Sequence, residues 1–296
     1  MIRVLVGIGT SESQRIPFEV LRHSILSRAE RYAYTVEAIC DWSDRGGIAP
    51  KPIKVGTSFS LQRLLVAQEA YMRGYDIFVY MDSDMLCLQS LDHFIDHVSG
   101  STAQRLVIPS WQEGSIRCWQ TAIFAGVACK EVVGWFDSLT GLFSELGSQY
   151  AALIAFKPMS HHLHFVSETF NQRDTVEKGT VVLHYTDLFR QPWISPFNSC
   201  SHLWQLELSN LCRKDSRFVA LLEGGIAKGD YKPSLRLGRT KLEDLFFLPP
   251  EFKRTRIGRY LGCAPVYRLT SKIFALVIQM LGAFRYVLHA LRTWGT

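Results

Sequence analysis

Hydrophobic positions along the chain alternate between strand-like runs and helix-like spacings. Arg3 to Ile8 and Thr35 to Ile39 are short runs rich in β-branched and apolar residues, and both predict strands. Gly7-Ile8-Gly9-Thr10-Ser11-Glu12 predicts a turn after the first. Pro17 suits the first turn of a helix that would place Phe18, Leu21, Ile25 and Leu26 on one face. A helix is expected over Leu61 to Arg73, then a buried strand over Ile77 to Met81. Leu106 to Pro109 and Thr121 to Cys129 predict further strands and Glu131 to Leu146 a helix. Thr180 to Leu183 predicts a strand that ends on His184. This alternation implies an α/β fold whose sheet is mostly parallel, with helices on both faces.

Past residue 215 the pattern changes. Gly224-Gly225, Gly229 and Pro233 mark a loop-rich linker over 216–254, with a second break at Pro249-Pro250. From 255 to 296 apolar residues alternate with Arg256, Arg259, Arg268, Lys272, Arg285 and Arg292. The longest uncharged run there, Ile273 to Phe284, is 12 residues. Spanning a bilayer takes about 20. A basic helical tail of this kind either lies in a membrane interface, with Trp294 and the tyrosines at headgroup depth, or packs on the domain or on a second copy. The expected organisation is therefore a catalytic-sized domain over 1–215, the linker, and the tail.

At 296 residues, with 47% hydrophobic and 20% charged residues, the chain has a globular composition. No repeat or low-complexity tract interrupts it. The formal charge is +6, and from Lys253 to Arg292 basic side chains recur without an Asp or Glu. The excess thus sits mostly in the tail and points to an anionic surface partner rather than to nucleic acid. Seven dispersed cysteines form no Cys-x-x-Cys pair, which argues against a zinc ribbon and against a disulfide framework. The apolar start is too short for a signal peptide. Together these features predict a cytoplasmic protein, peripheral on the cytoplasmic face of a membrane.

The densest candidate chemistry is Asp82-Ser83-Asp84, directly after the Ile77 to Met81 run. Two carboxylates spaced i, i+2 at a strand end can converge on one divalent cation, and hard oxygens suit Mg2+ or Mn2+. Open α/β sheets bind ligands beyond the carboxyl ends of their strands. The same two residues could instead cap a turn. Gly7-x-Gly9 lacks the third glycine of a dinucleotide fingerprint.

Other segments accompany this triplet. Gly56-Thr57-Ser58-Phe59-Ser60-Leu61-Gln62-Arg63 precedes it, and Leu183-His184-Tyr185-Thr186-Asp187 with Gln191-Pro192-Trp193 follows. Together with Arg3 to Gly9 and Phe18 to Ile25 they resemble glycosyltransferases of the GT-A fold, most closely the retaining, family 8-like group. The resemblance covers roughly residues 1–208 and rests on order and spacing. It implies a GT-A (Rossmann-like) mixed, mostly parallel sheet flanked by helices, with the basic helical tail appended.

The resemblance also implies an activity: transfer of a hexose from a nucleotide-diphosphate-sugar such as a UDP-sugar to a glycan or lipid-linked acceptor, with retention. Asp82, Asp84 and His184 would hold Mn2+ or Mg2+. Arg63 would lie near the donor sugar or diphosphate, and Gln120 and Asn171 near the reacting centre. Ile8, Gly9, Thr10 and Ser11 would meet the base and ribose, with Ser83, Tyr185 and Arg190 also on the donor. The usual late motif of this group, His-x-x-Gly-x-x-Lys-Pro-Trp, is altered here. Asp187 stands at the glycine position, and Arg190-Gln191 precede Pro192 one residue late. Arg190 is the candidate replacement cation, since guanidinium pairs well with phosphate oxygens. Two other readings remain on sequence grounds: a non-catalytic GT-A-like domain that binds a glycan or recruits a partner, and a sugar nucleotidyltransferase. The second lacks the basic glycine-rich loop such enzymes carry.

Overall fold

A computed structural model describes residues 1–11, 14–40, 62–100, 105–145, 156–187, 190–195, 198–237 and 280. The expected loop from Asp41 to Thr57, the Pro249-Pro250 break and, apart from Met280, the tail lie outside the described residues. The chain divides into two compact units. One comprises Met1–Gln172 and Glu177–Leu183, the other Arg173–Val176 and His184–Thr296.

The first unit is built on a seven-stranded sheet. Its strands are β1 (Arg3–Gly9), β2 (Ala33–Ala38), β3 (Ile77–Asp82), β5 (Leu106–Glu113), β6 (Ile116–Trp119), β7 (Ile123–Val127) and β8 (Leu163–Val166). The order is β2-β1-β3-β7-β5-β6, with β8 also on β5. β1 is parallel to β2 and β3, and β5 to β8, whereas β7 opposes β3 and β5 and β6 opposes β5. Only β6 and β7 run against the rest, so the sheet is mixed but mostly parallel, as expected.

Burial explains why β3 carries consecutive apolar or aromatic residues from Ile77 to Met81. Ile77, Val79 and Met81 join a core on one face of the sheet, where Phe18, Leu21 and Ile25 of α1 (Arg15–Leu26) and Phe94, Ile95 and Val98 of α3 (Asp92–Ser99) also pack. Phe78 and Tyr80 point the other way, into a core with Val66, Ala67 and Ala70 of α2 (Leu65–Met72) and Val132, Phe136 and Leu139 of α4 (Lys130–Glu145). A strand covered by helices on both sides needs apolar residues at consecutive positions, because its side chains alternate between faces. One expected contact differs: Leu26, the last residue of α1, is exposed, while Ile25 beside it takes the buried face.

The turn expected at Gly7 to Glu12 begins later. β1 runs on through Gly9, which pairs in register with Asp82 of β3. β4 (Met85–Cys87), β9 (Gln172–Arg173) and β10 (Val182–His184) form a second, three-stranded sheet in the order β4-β10-β9. β10 crosses in sequence from the first unit into the second, and His184 is its last residue.

The second unit contains α5 (Ser201–Lys214) and α6 (Ser216–Lys228). α6 corrects the expectation of a loop-rich linker from residue 216. Asp215 caps its start by accepting from the Arg217 and Phe218 backbone N–H groups, at 2.9 and 3.2 Å. Gly229 ends it in the left-handed conformation at φ 75°. Position 225, within the helix, needs glycine because the Tyr231 ring lies against it; a Cβ there would stand 2.5 Å from that ring. Gly225 therefore marks close packing, Gly224 faces open space, and neither breaks the helix.

Candidate functional site

The carboxyl ends of β1 and β3 meet at Gly9 and Asp82. The Asp82 N–H donates to the Ala122 carbonyl at 2.8 Å, just before β7, and the Ser83 N–H to the Gly9 carbonyl at 3.1 Å. The Ser83 hydroxyl donates to Gln14 Oε1 at 2.8 Å, at the start of α1. The acidic triplet is thus pinned to three neighbouring segments. Asp84 and Asp82 are half-buried and His184, at the end of β10, is buried; one ligand atom from each lies within 4.8 Å of the others. Two carboxylates and an imidazole at this separation fit a hard or borderline divalent ion such as Mg2+ or Mn2+.

Asp82 has further partners inside the first unit. Tyr80, two residues earlier and so on the same face of β3, donates its hydroxyl to Asp82 Oδ1 at 2.5 Å. Burial, with the neighbouring Asp82 carboxylate, pushes that hydroxyl well above its ordinary pKa and keeps it protonated. Arg63 is buried just ahead of α2. Its Nη2 lies 3.9 Å from Asp82 Oδ1, its Nη1 donates to the Thr121 hydroxyl, and its guanidinium carbon sits 5.4 Å from the Tyr80 ring centroid. A cation this close to a metal-capable carboxylate can also face a developing anion.

The turn after β1 is held by an amide. Gln62 Oε1 accepts from the Thr10 N–H at 3.2 Å, and Gln62 Nε2 donates to the Thr10 carbonyl at 3.3 Å. Gln62 and Arg63, adjacent in sequence, thereby fasten the two strand ends separately. Ile8 is buried in the core, so only its backbone remains for a ligand. Ser11 accepts from the Gln14 N–H through its carbonyl. Gln120 is half-buried directly before Thr121. Asn171 is buried at the end of a 3-10 turn, Glu168–Asn171, that leads into β9.

In the second unit the segment after His184 has its own anchors. The Asp174 N–H donates to the His184 carbonyl at 2.9 Å, and the Asp174 carboxylate accepts from the Thr186 N–H at 3.1 Å and from the Thr186 hydroxyl. Asp174 does this from a left-handed backbone, φ 53°, which Asp tolerates better than most residues. Tyr185 is buried and its hydroxyl donates to the Cys200 carbonyl at 3.2 Å. Arg190 Nη1 lies 4.0 Å from Asp187 Oδ2, so the altered motif brings its basic and acidic residues side by side. Lys232, fully buried, donates to the Ser195 carbonyl at 3.1 Å.

Tyr80, Gln62, Thr121, Gln14 and Asp174 were given no site role from the sequence. Tyr80 had a signal, being a polar-tipped side chain in an otherwise apolar strand on the same face as Asp82. The others act through tertiary contacts with no local pattern.

Neither a protein-family model nor a curated protein is significantly similar to the chain. Solved structures are similar in fold. The apo-form glycosyltransferase GlyE of Streptococcus pneumoniae TIGR4 has a TM-score of 0.53 at 12% identity, covering 79% of this chain and 65% of that one. A second GlyE structure gives 0.52 at 14% identity with the same coverage. The bifunctional glycosyltransferase WbbM scores 0.49 at 11% identity, over 70% of this chain and 49% of its own. The chain thus spans about half to two thirds of the length of these proteins. The fold is that of the GT-A glycosyltransferases, a mostly parallel mixed sheet flanked by helices.

Proposed function

We propose that the protein is a metal-dependent glycosyltransferase that moves a hexose from a UDP-sugar to a glycan or lipid-linked acceptor. The observation that carries this is the approach of Asp82 and Asp84, after β3, and His184, at the end of β10, to within 4.8 Å of one another in a GT-A fold. Asp82 and Asp84 would bind a divalent ion through oxygen and His184 through nitrogen. Such an ion, when bound, stabilises the charge that builds on a leaving diphosphate.

The chain's own side chains supply the rest. Arg63, held on Thr121 and facing Asp82, would lie against the diphosphate or the sugar. A fixed cation there acts more on the transition state than on the ground state, the condition for raising rate. The backbone of Gly9, Thr10 and Ser11 would meet the base and ribose, with Gln62 keeping that turn in place. Gln120 and Asn171 would orient the sugar and Arg190 the donor phosphates, while Ser83 and Tyr185, whose hydroxyl protons go to Gln14 and the Cys200 carbonyl, would meet the donor through their backbone. Retention of anomeric configuration, with a donor phosphate oxygen taking the acceptor proton, rests on the family 8-like resemblance. Among the described residues no helix is long and apolar enough to cross a membrane. Residues 255–296 are proposed to rest on an anionic membrane surface through their basic side chains.

The test is calorimetric titration of a panel of nucleotide-sugars, with Mn2+ and then with EDTA. Metal-dependent binding of at least one UDP-sugar is expected. Absence of any metal-dependent binding across the panel would reject the reading.

A further inference from the structure

Tyr80 presents a feature that core packing does not require. Its ring is fully buried, stacked on Phe124 with centroids 5.3 Å apart and planes at 23°. Phenylalanine would fill that space equally well. The hydroxyl, however, reaches Asp82 Oδ1 at 2.5 Å, the same oxygen that Arg63 Nη2 approaches at 3.9 Å. A phenol bonded to one carboxylate oxygen fixes the rotation of that carboxylate, which otherwise turns freely about its terminal torsion.

Position 9 carries the complementary signal. Gly9 lies within β1, and it is not among the described glycines with positive φ, so its backbone does not call for glycine. A Cβ there would stand 2.2 Å from the Tyr80 hydroxyl oxygen and 3.0 Å from the carbon bearing it. Neighbouring strands that pair Gly9 with Asp82 thus leave one side-chain space, and the phenol oxygen occupies it.

We propose that Tyr80 is the positioning residue of the Asp82 carboxylate, and that position 9 is glycine to admit its hydroxyl. This rests on the metal-binding reading of Asp82. Outer partners that orient a ligating side chain typically contribute 10- to 100-fold to metal affinity. The hydroxyl would therefore act on how tightly a divalent ion binds, without touching it.

The experiment uses the full chain and Mn2+ alone, with Tyr80→Phe, Gly9→Ala and the double variant. Mn2+ affinity is read by calorimetry and thermal stability by melting. Tyr80→Phe is expected to melt within a few degrees of wild type while binding Mn2+ about tenfold more weakly. Gly9→Ala is expected to lose both melting temperature and Mn2+ affinity. In the double variant the melting temperature recovers in part, because the clashing oxygen is gone while the ring carbon stays 3.0 Å from the added Cβ, and Mn2+ affinity stays low. Wild-type affinity in Tyr80→Phe overturns the positioning role and leaves the metal reading standing. Equal destabilisation by Gly9→Ala in both backgrounds overturns the account of position 9. Wild-type protein that binds no Mn2+ overturns the metal reading, and the positioning role with it. Should Tyr80→Phe not fold, Gly9→Ala measured below its melting point carries the test, since it displaces the same hydroxyl.

Discussion

Replacing Gln62 tests how the turn after β1 is held. Its side-chain amide makes two hydrogen bonds to one residue, at 3.2 Å from the Thr10 N–H and 3.3 Å to the Thr10 carbonyl. Thr10 is 1% exposed, so water cannot readily replace either bond. A typical intramolecular hydrogen bond contributes about 1 kcal/mol net, and both of these are slightly long. Gln62→Ala should therefore ease opening of the turn by about 1–2 kcal/mol, which corresponds to roughly 5- to 30-fold faster exchange of the Thr10 amide proton. Gln62→Glu is the sharper perturbation. One carboxylate oxygen still accepts from the Thr10 N–H, but the other faces the Thr10 carbonyl, acceptor against acceptor. Its effect at pH 7 should exceed that of alanine and shrink as pH falls below about 4.3, where a glutamate regains a proton to donate. Native-state hydrogen exchange resolved at Thr10 is the assay. UDP affinity, measured in parallel, should fall several-fold in both variants. Thr10 exchange at the wild-type rate in both would refute the account of this turn.

Three further outcomes are expected. Arg63→Ala should slow metal-dependent UDP-sugar hydrolysis about 10²-fold, the usual loss for one preorganised electrostatic contact, and Arg63→Lys should restore only part of it; an unchanged rate in Arg63→Ala would exclude a role on the donor. Burial raises the Cys200 thiol, so the fold favours its neutral form: that stabilisation is complete below the unfolded thiol's value of about 8.5 and is lost as pH rises through the higher folded value. Cys200→Ser should flatten this alkaline decline in urea melts, and in the wild type Cys200 should react with iodoacetamide at pH 8 more slowly than the less buried Cys118. Deleting residues 255–296 should release the protein from phosphatidylserine vesicles and leave UDP-sugar hydrolysis intact, whereas unchanged vesicle binding would assign attachment elsewhere.

Much of the first unit was legible because its signals are local. The run Ile77 to Met81 is apolar at consecutive positions since helices cover both faces of β3, and that pattern needs no knowledge of the partner helices. The same holds for α1 and α4, whose spacings repeat over several turns. Short strands were not legible. β4, β8 and β9 span 3, 4 and 2 residues, too few to establish a period, and they exist because neighbours offer backbone partners. α6 was missed for a different reason. Gly224-Gly225 reads locally as a break, but Asp215 caps the helix and the Tyr231 ring requires the small residue at 225.

At the site the division is similar. By themselves the residues of this chain determined which side chains could bind a cation, since carboxylate spacing and a strand-end histidine are properties of sequence. They also carried the order of motifs that resembles a GT-A enzyme. Only the tertiary structure decided that Asp82, Asp84 and His184 approach one another, because His184 follows Asp84 by about a hundred residues and the intervening chain must return through β10. It alone decided that Gly9 sits opposite Asp82, that Tyr80 turns its hydroxyl onto that carboxylate, and that Gln62 and Arg63 point to different strand ends. Register and side-chain direction arise from hydrogen bonding between strands distant in sequence, and no local pattern encodes them.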